Sequence, residues 1–161
     1  MKLYYHSPIG IIELRGDREG LQGCSFLPAN YRKAGGEPEA GLKPEEAPEP
    51  LKEAWKQLDE YFSGQRRNFS VKLNLQGTPF QKRVWAELQK IPYGQTRSYG
   101  EIARACGRPG ASRAVGQANH RNPIVIIIPC HRVVGSDGRL VGFGGGLWRK
   151  KWLLQHEARH Q

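Results

Sequence analysis

Cys130 and His131 are adjacent, follow Pro129, and close the most apolar run of the chain, Ile124 to Ile128. The thiolate is the reactive form of cysteine, and a neighbouring imidazole is a common means of generating it near neutral pH. Most cysteines beside a core segment are inert small hydrophobes. Here the adjacent histidine and a backbone stiffened by proline favour a displayed thiol, whose chemistry is attack of sulfur on an electrophilic carbon. The other cysteines, Cys24 and Cys106, lie far from Cys130 and from each other. Three scattered cysteines make neither a disulfide framework nor paired metal arms, which leaves room for one kept for reactivity.

The elements that must position this thiol can be read around it. The β-branched run Ile124 to Ile128 predicts a buried strand ending at Pro129. Val133 and Val134, then Ser136-Asp137-Gly138, then Leu140, Val141 and Phe143 predict a hairpin, and Gly144-Gly145-Gly146 predicts a loop able to approach a ligand closely. Upstream, Thr78-Pro79-Phe80-Gln81 has the form of a capping box and opens a helix through Val84, Trp85, Leu88 and Ile91 that Pro92 ends. Ser98-Tyr99-Gly100-Glu101 is a second capping box, for a short helix stopping at Gly107. After the turn Arg108-Pro109-Gly110, residues Ser112 to His120 predict a third helix bounded by Asn122-Pro123. Two short helices joined by a glycine-containing turn form the helix-turn-helix pattern.

The first half is organised differently. Lys2 to Leu27 alternates apolar and polar residues between turn signals, predicting two or three antiparallel strands. Residues 29 to 50, rich in Gly, Pro and Glu, predict an exposed loop. Leu51, Ala54, Trp55, Leu58, Tyr61 and Phe62 recur at helical spacing, and Val71, Leu73 and Leu75 alternate as in a half-buried strand. The expected fold class is α/β (α+β): an N-terminal α/β domain over residues 1–77 and a mostly helical domain over residues 78–161.

Residues 78–161 hold 14 Lys and Arg against 4 Asp and Glu, which accounts for the whole net charge of +10 and leaves residues 1–77 neutral. A basic half beside a neutral one suits a polyanion partner, although a well-solvated surface has the same composition. No apolar run approaches the ~20 residues needed to span a bilayer, and the N-terminus lacks a secretory apolar segment. The cytoplasm is the expected compartment, with no membrane partner.

Pro129-Cys130-His131-Arg132-Val133-Val134 resembles the active-site motif of the O6-alkylguanine-DNA alkyltransferases. Thr78-Pro79-Phe80-Gln81, Pro92-Tyr93-Gly94, Ser98-Tyr99, Ala114-Val115-Gly116, Asn122-Pro123, Gly145-Gly146-Leu147 and Trp152-Leu153-Leu154-Gln155-His156-Glu157 follow in the family's order, so the resemblance covers residues 78–161. The N-terminal half is similar only in layout, to the family's ribonuclease-H-like domain. The resemblance implies a methylated-DNA–protein-cysteine methyltransferase. Such a protein reverses damage directly, moving the alkyl group of O6-alkylguanine in duplex DNA to Cys130, irreversibly, once per molecule and without a cofactor, with O4-alkylthymine as a further candidate substrate. Displacement at saturated carbon wants a soft nucleophile and stabilisation of the departing guanine anion.

By the same resemblance, Cys130 loses its proton through a water to His131, which Glu157 orients. Tyr99 donates to the guanine ring, and Asn122 braces the active-site turn. Taken without the resemblance, Glu157 reads as a solvated carboxylate on the last helix, Tyr99 as a surface aromatic and Asn122 as a helix stop. Val125, Val133, Phe143, Gly144 and Gly145 are implied to surround the base. The target atom is inaccessible in a stacked duplex, so the nucleotide must be turned out. Arg113, with Ala114, Gly116, Gln117 and Asn119 on the implied recognition helix, meets DNA in the minor groove, Arg113 filling the gap. The expected acting species is a monomer.

Some features depart from the family pattern. Val125 stands where some members have proline, and Gly144 where serine or alanine is common, which bears on tolerance for bulky adducts. Asn119-His120 also differ from common variants, an effect expected on DNA contacts. Some members bind zinc in the N-terminal domain, but only His6 and Cys24 are available early in this chain, and two ligands cannot complete a tetrahedral site, so no metal is expected. Two rival readings are a helix-turn-helix regulator that merely senses alkylated DNA, for which Cys130 has no use, and a cysteine hydrolase, which leaves the basic helix pair unexplained.

Overall fold

The computed structural model describes residues 1–28 and 42–161, so most of the loop expected over residues 29 to 50 lies outside the described residues. The remainder of it holds a short 3-10 turn at Pro44–Glu46 and the first turn of a helix. The chain forms two compact units, Met1–Leu75 and Gln76–Gln161.

In the first unit, β1 (Lys2–Ser7), β2 (Gly10–Asp17) and β3 (Gly20–Phe26) make an antiparallel sheet in sequence order. Alternation sends Leu3 and Tyr5, Ile12 and Leu14 to one face, where α1 (Glu49–Phe62) covers them with Leu51, Ala54, Leu58 and Tyr61. The strand expected at Val71 to Leu75 reduces to a single parallel bridge between Leu73 and Leu21. Val71, Leu73 and Leu75 are only partly buried, and only Lys72 and Asn74 find backbone partners, both on Leu21.

The second unit contains α2 (Pro79–Leu88), β4 (Arg97–Ser98), α3 (Tyr99–Ala105), α4 (Ser112–His120), a 3-10 turn at Cys130–Arg132, β5 (Val133–Val134) and α5 (Leu147–Arg159). Both capping boxes form reciprocally, Thr78 with Gln81 and Ser98 with Glu101. Helices α2, α3 and α4 pack on one another around Val84, Trp85, Ile102 and Val115.

Two of the expected elements require correction. Ile124 to Ile128 is buried, apart from a partly accessible Val125, but it is not a strand. Its backbone closes on itself: Ile127 N–H donates to the Val125 carbonyl at 2.8 Å, and Ile128 N–H to the Ile124 carbonyl at 3.0 Å. The first of these is a γ-turn centred on Ile126, whose φ of 71° is strained for a β-branched residue. A second tight turn, Cys130 N–H to the Ile128 carbonyl at 2.8 Å, centres on Pro129 at φ −80° and ψ 64°. The apolar composition therefore reported burial, which a coiled segment achieves as well as a strand. The hairpin also fails. Gly135 N–H reaches the Arg139 carbonyl at 2.8 Å, closing the turn, but Leu140 to Phe143 forms no strand. Val133 and Val134 pair instead in parallel with Arg97 and Ser98.

Candidate active site

The two tight turns deliver Cys130 to the first position of its 3-10 turn, where the thiol is free and only 4% exposed. Asn122 holds the approach: its Nδ2 donates to the Ile128 carbonyl at 2.8 Å and its Oδ1 accepts from Ile124 N–H at 3.0 Å. Burial pushes the Cys130 thiol up. The Asn122 side chain, the charge of Lys150 and the backbone N–H groups of Cys130 and His131 act in the opposite direction, favouring the thiolate without prevailing.

His131 and Glu157 are both fully buried, with Nε2 and Oε2 2.6 Å apart. Glu157 also accepts from Arg132 Nε at 2.9 Å, Arg132 Nη2 at 3.1 Å and Gly94 N–H at 3.1 Å. Burial alone would raise this carboxyl; His131 and Arg132 outweigh it and hold it far below the usual carboxylate range. Burial lowers His131, and the pull of Glu157 the other way does not restore it. A carboxylate facing a neutral imidazole assigns the ring proton to Nε2. Nδ1, buried and with no hydrogen-bond partner among the described residues, is then a bare acceptor on the residue that follows Cys130.

Lys150 escaped the sequence reading. It is fully buried on α5, its Nζ donating to the carbonyls of Val141 at 2.9 Å and Gly142 at 3.2 Å and lying 5.9 Å from the Tyr99 ring centroid. Burial lowers its ammonium to about 8, against the pull of Cys130. The signal was its spacing: Lys150, Leu153 and Glu157 recur on one helical face, all buried. Tyr99, half-buried at the start of α3, donates its hydroxyl to the same Val141 carbonyl at 2.8 Å, and burial and the charge of Cys130 both raise it.

A cleft of about 690 Å³ opens beside these groups, lined by Tyr99, Arg113, Gly116, Gln117, Val141 and Gly142 among others. Arg113, Ala114 and Gln117 are exposed along α4. A methyl added at Gly116 would meet the Tyr99 ring at 3.8 Å, an ordinary van der Waals contact. Val125, Val133, Phe143, Gly144 and Gly145, expected around the base, do not line this cleft: Val133 is fully buried, Val125 and Phe143 are partly so, and Gly144 is exposed. Asn119 requires a correction. It was expected on the DNA side of the helix, but it lies four residues after Val115 on the buried face, 5% exposed, with Nδ2 donating to the Cys130 carbonyl at 3.3 Å. Among the described residues no cluster of three His, Cys, Asp or Glu could hold a metal ion.

Residues 79–159 match the DNA-binding domain, and residues 1–75 the ribonuclease-like domain, of the 6-O-methylguanine DNA methyltransferases. The methylated-DNA–protein-cysteine methyltransferase of Methanosarcina acetivorans is 50% identical over 154 residues, 96% of each chain. That of Mycobacterium leprae is 50% identical over 157 residues, 96% of this chain and 90% of its own. The crystal structure of Mycobacterium tuberculosis OGT in complex with DNA superposes with a TM-score of 0.83 at 46% identity, over 98% of this chain and 92% of that one.

Proposed function

Because this chain belongs to the O6-alkylguanine-DNA alkyltransferase family, and so repairs DNA by moving an alkyl group onto a cysteine, we propose that Cys130 is the acceptor and that His131 and Glu157 activate it. The observation that carries this reading is the buried His131–Glu157 pair at 2.6 Å, directly after a cysteine in sequence and with the far imidazole nitrogen unpaired. Of the three cysteines, Cys130 alone has such a base adjacent to it in sequence.

The thiol proton passes through a water to His131 Nδ1, and the imidazolium so formed is neutralised by Glu157. Sulfur attacks the alkyl carbon, the carbon–O6 bond breaks, and guanine leaves as an anion that accepts a hydrogen bond or proton from Tyr99. The Tyr99 hydroxyl, which donates to the Val141 carbonyl at 2.8 Å, exchanges that acceptor for the departing guanine as charge develops on it. Lys150 holds a cation close enough to favour the thiolate. The thioether is a poor leaving group, so each molecule acts once.

DNA is the partner. We assign its contact to the exposed face of α4, lying in the minor groove, with Arg113 entering the stack in place of the lesion-bearing nucleotide; the exposure of Arg113, Ala114 and Gln117 beside the cleft supports this. The protein acts as a monomer on O6-alkylguanine, with O4-alkylthymine as a further candidate substrate. No helix among the described residues is long and apolar enough to cross a membrane, and the cytoplasm is the assigned compartment. Incubation with a duplex carrying O6-methylguanine, followed by peptide mass mapping, tests the central claim: the methyl group is expected on the peptide containing Cys130, at no more than one per molecule. A methyl group on Cys24 or Cys106, or several lesions cleared per molecule, refutes it.

A further inference from the structure

Two asparagines, three residues apart, grip the backbone on either side of Pro129. Asn122 takes the Ile128 carbonyl at 2.8 Å, and Asn119 takes the Cys130 carbonyl at 3.3 Å. Asn122 follows the recognition helix, whereas Asn119 belongs to its last turn. That turn is itself anchored, since Trp85 Nε1 donates to the Ala118 carbonyl at 2.9 Å in a buried contact. The Asn119 side chain is buried, and its Oδ1 has no hydrogen-bond partner among the described residues. A buried polar group left half-satisfied is unfavourable, and an apolar side chain of similar size would pack there without that penalty. On packing grounds alone this position favours leucine.

We propose that Asn119 is a positioning residue for the reaction, and that it ties the orientation of the Cys130 thiol to the helix that meets DNA. The inference rests on Cys130 being the acceptor. Cys130 opens a 3-10 turn, and its own N–H is taken by the Ile128 carbonyl at 2.8 Å. Asn119 grips the first carbonyl of that turn, so it sets the orientation in which the turn presents the sulfur. Because the grip comes from α4, a shift of that helix on DNA is transmitted to the thiol through one hydrogen bond. Asn119 touches neither DNA nor substrate in this assignment; it acts through the turn.

The test uses Asn119→Leu and Asn119→Asp in the full chain, both close to asparagine in size and both lacking the amide donor. Three quantities are compared with the parent protein: the rate of Cys130 labelling by iodoacetamide across pH, the single-turnover rate with O6-methylguanine duplex, and affinity for undamaged duplex. Labelling and transfer are expected to slow by about 3- to 10-fold, the equivalent of one hydrogen bond, with the labelling profile moved to higher pH and duplex affinity within about twofold of the parent. Unchanged labelling and transfer overturn the inference. So does a loss of duplex affinity that matches the loss of rate, because that marks a support for the helix rather than for the thiol. If Asn119→Leu does not fold, Asn119→Asp decides. The labelling arm reads the thiol directly, so it stays informative even if methyl transfer to Cys130 itself fails.

Discussion

Exchange of Glu157 for Gln keeps the shape of the side chain and removes its charge, and the surroundings dictate how the new amide must sit. Arg132 and Gly94 N–H are donors only, so the amide oxygen must face them, at the place of Oε1. The amide nitrogen then faces Arg132 Nη2, a donor meeting a donor, and His131 Nε2, to which it donates. The imidazole proton is driven to Nδ1, and the thiol loses its base. Loss of a general base typically slows a reaction by about 10²- to 10⁴-fold. Arg132, 5% exposed, is left without a counterion, and removing one partner of a buried pair costs about 3–5 kcal/mol.

The charge also fixes the pH dependence of that loss. Glu157 is held below its unfolded value of about 4.3. A depressed carboxyl contributes stability that is fully present above the unfolded value and fades as pH falls toward the folded one. The stability gap between parent and Glu157→Gln is therefore expected to be full at pH 7.5 and to begin closing below about pH 4.3. Urea unfolding across that range, with single-turnover methyl transfer at pH 7.5, reads both effects. Transfer within about twofold of the parent would remove Glu157 from the relay, and a gap that stays constant down to acid would refute its electrostatic origin.

Lys150→Met is expected to move the iodoacetamide labelling profile of Cys130 to higher pH and to slow labelling at neutral pH by on the order of tenfold, because the nearby cation no longer favours the thiolate; an unmoved profile would exclude that role. Methylation of Cys130 should lower the melting temperature of the free protein, since adding a carbon to a site 4% exposed typically costs ~1–3 kcal/mol, and a raised midpoint would show that the cavity accepts it without strain. Arg113→Ala should slow transfer from a duplex carrying O6-methylguanine, because no side chain fills the gap left by the turned-out nucleotide; transfer at the parent rate would take Arg113 out of the stack.

Local chemistry was legible in the chain wherever the answer depends on neighbours within a turn or two. Both capping boxes need only residues three apart, and they form as read at Thr78–Gln81 and Ser98–Glu101. The helix at Ser112–His120 lies between a turn and Asn122-Pro123, and of the two or three N-terminal strands that alternation marks, three form. The adjacency of Cys130 and His131 marked the thiol proposed to react, and the resemblance named Glu157 as the partner of His131, 26 positions away. What composition could not distinguish was the path of a buried apolar segment. Ile124 to Ile128 folds into tight turns braced by the Asn122 side chain and makes no strand ladder, and β-branched residues suit either arrangement when both are dry.

The sequence by itself determined the capped starts of α2 and α3, the apolar faces of α1 and α2, that the excess charge lies in the second half, and which thiol has a histidine beside it. Those properties depend on spacing along the chain, because a helix repeats every 3.6 residues and a cap acts within its first turn. The tertiary structure alone decided that Lys150 is buried against the Val141 and Gly142 carbonyls, that Asn119 turns inward to Cys130, and that Glu157 is shared among His131, Arg132 and Gly94. In each case a polar side chain is held away from water by partners distant in the chain. Whether such a group is exposed or buried depends on whether those partners arrive to replace the lost hydration, and that is a property of the packed fold.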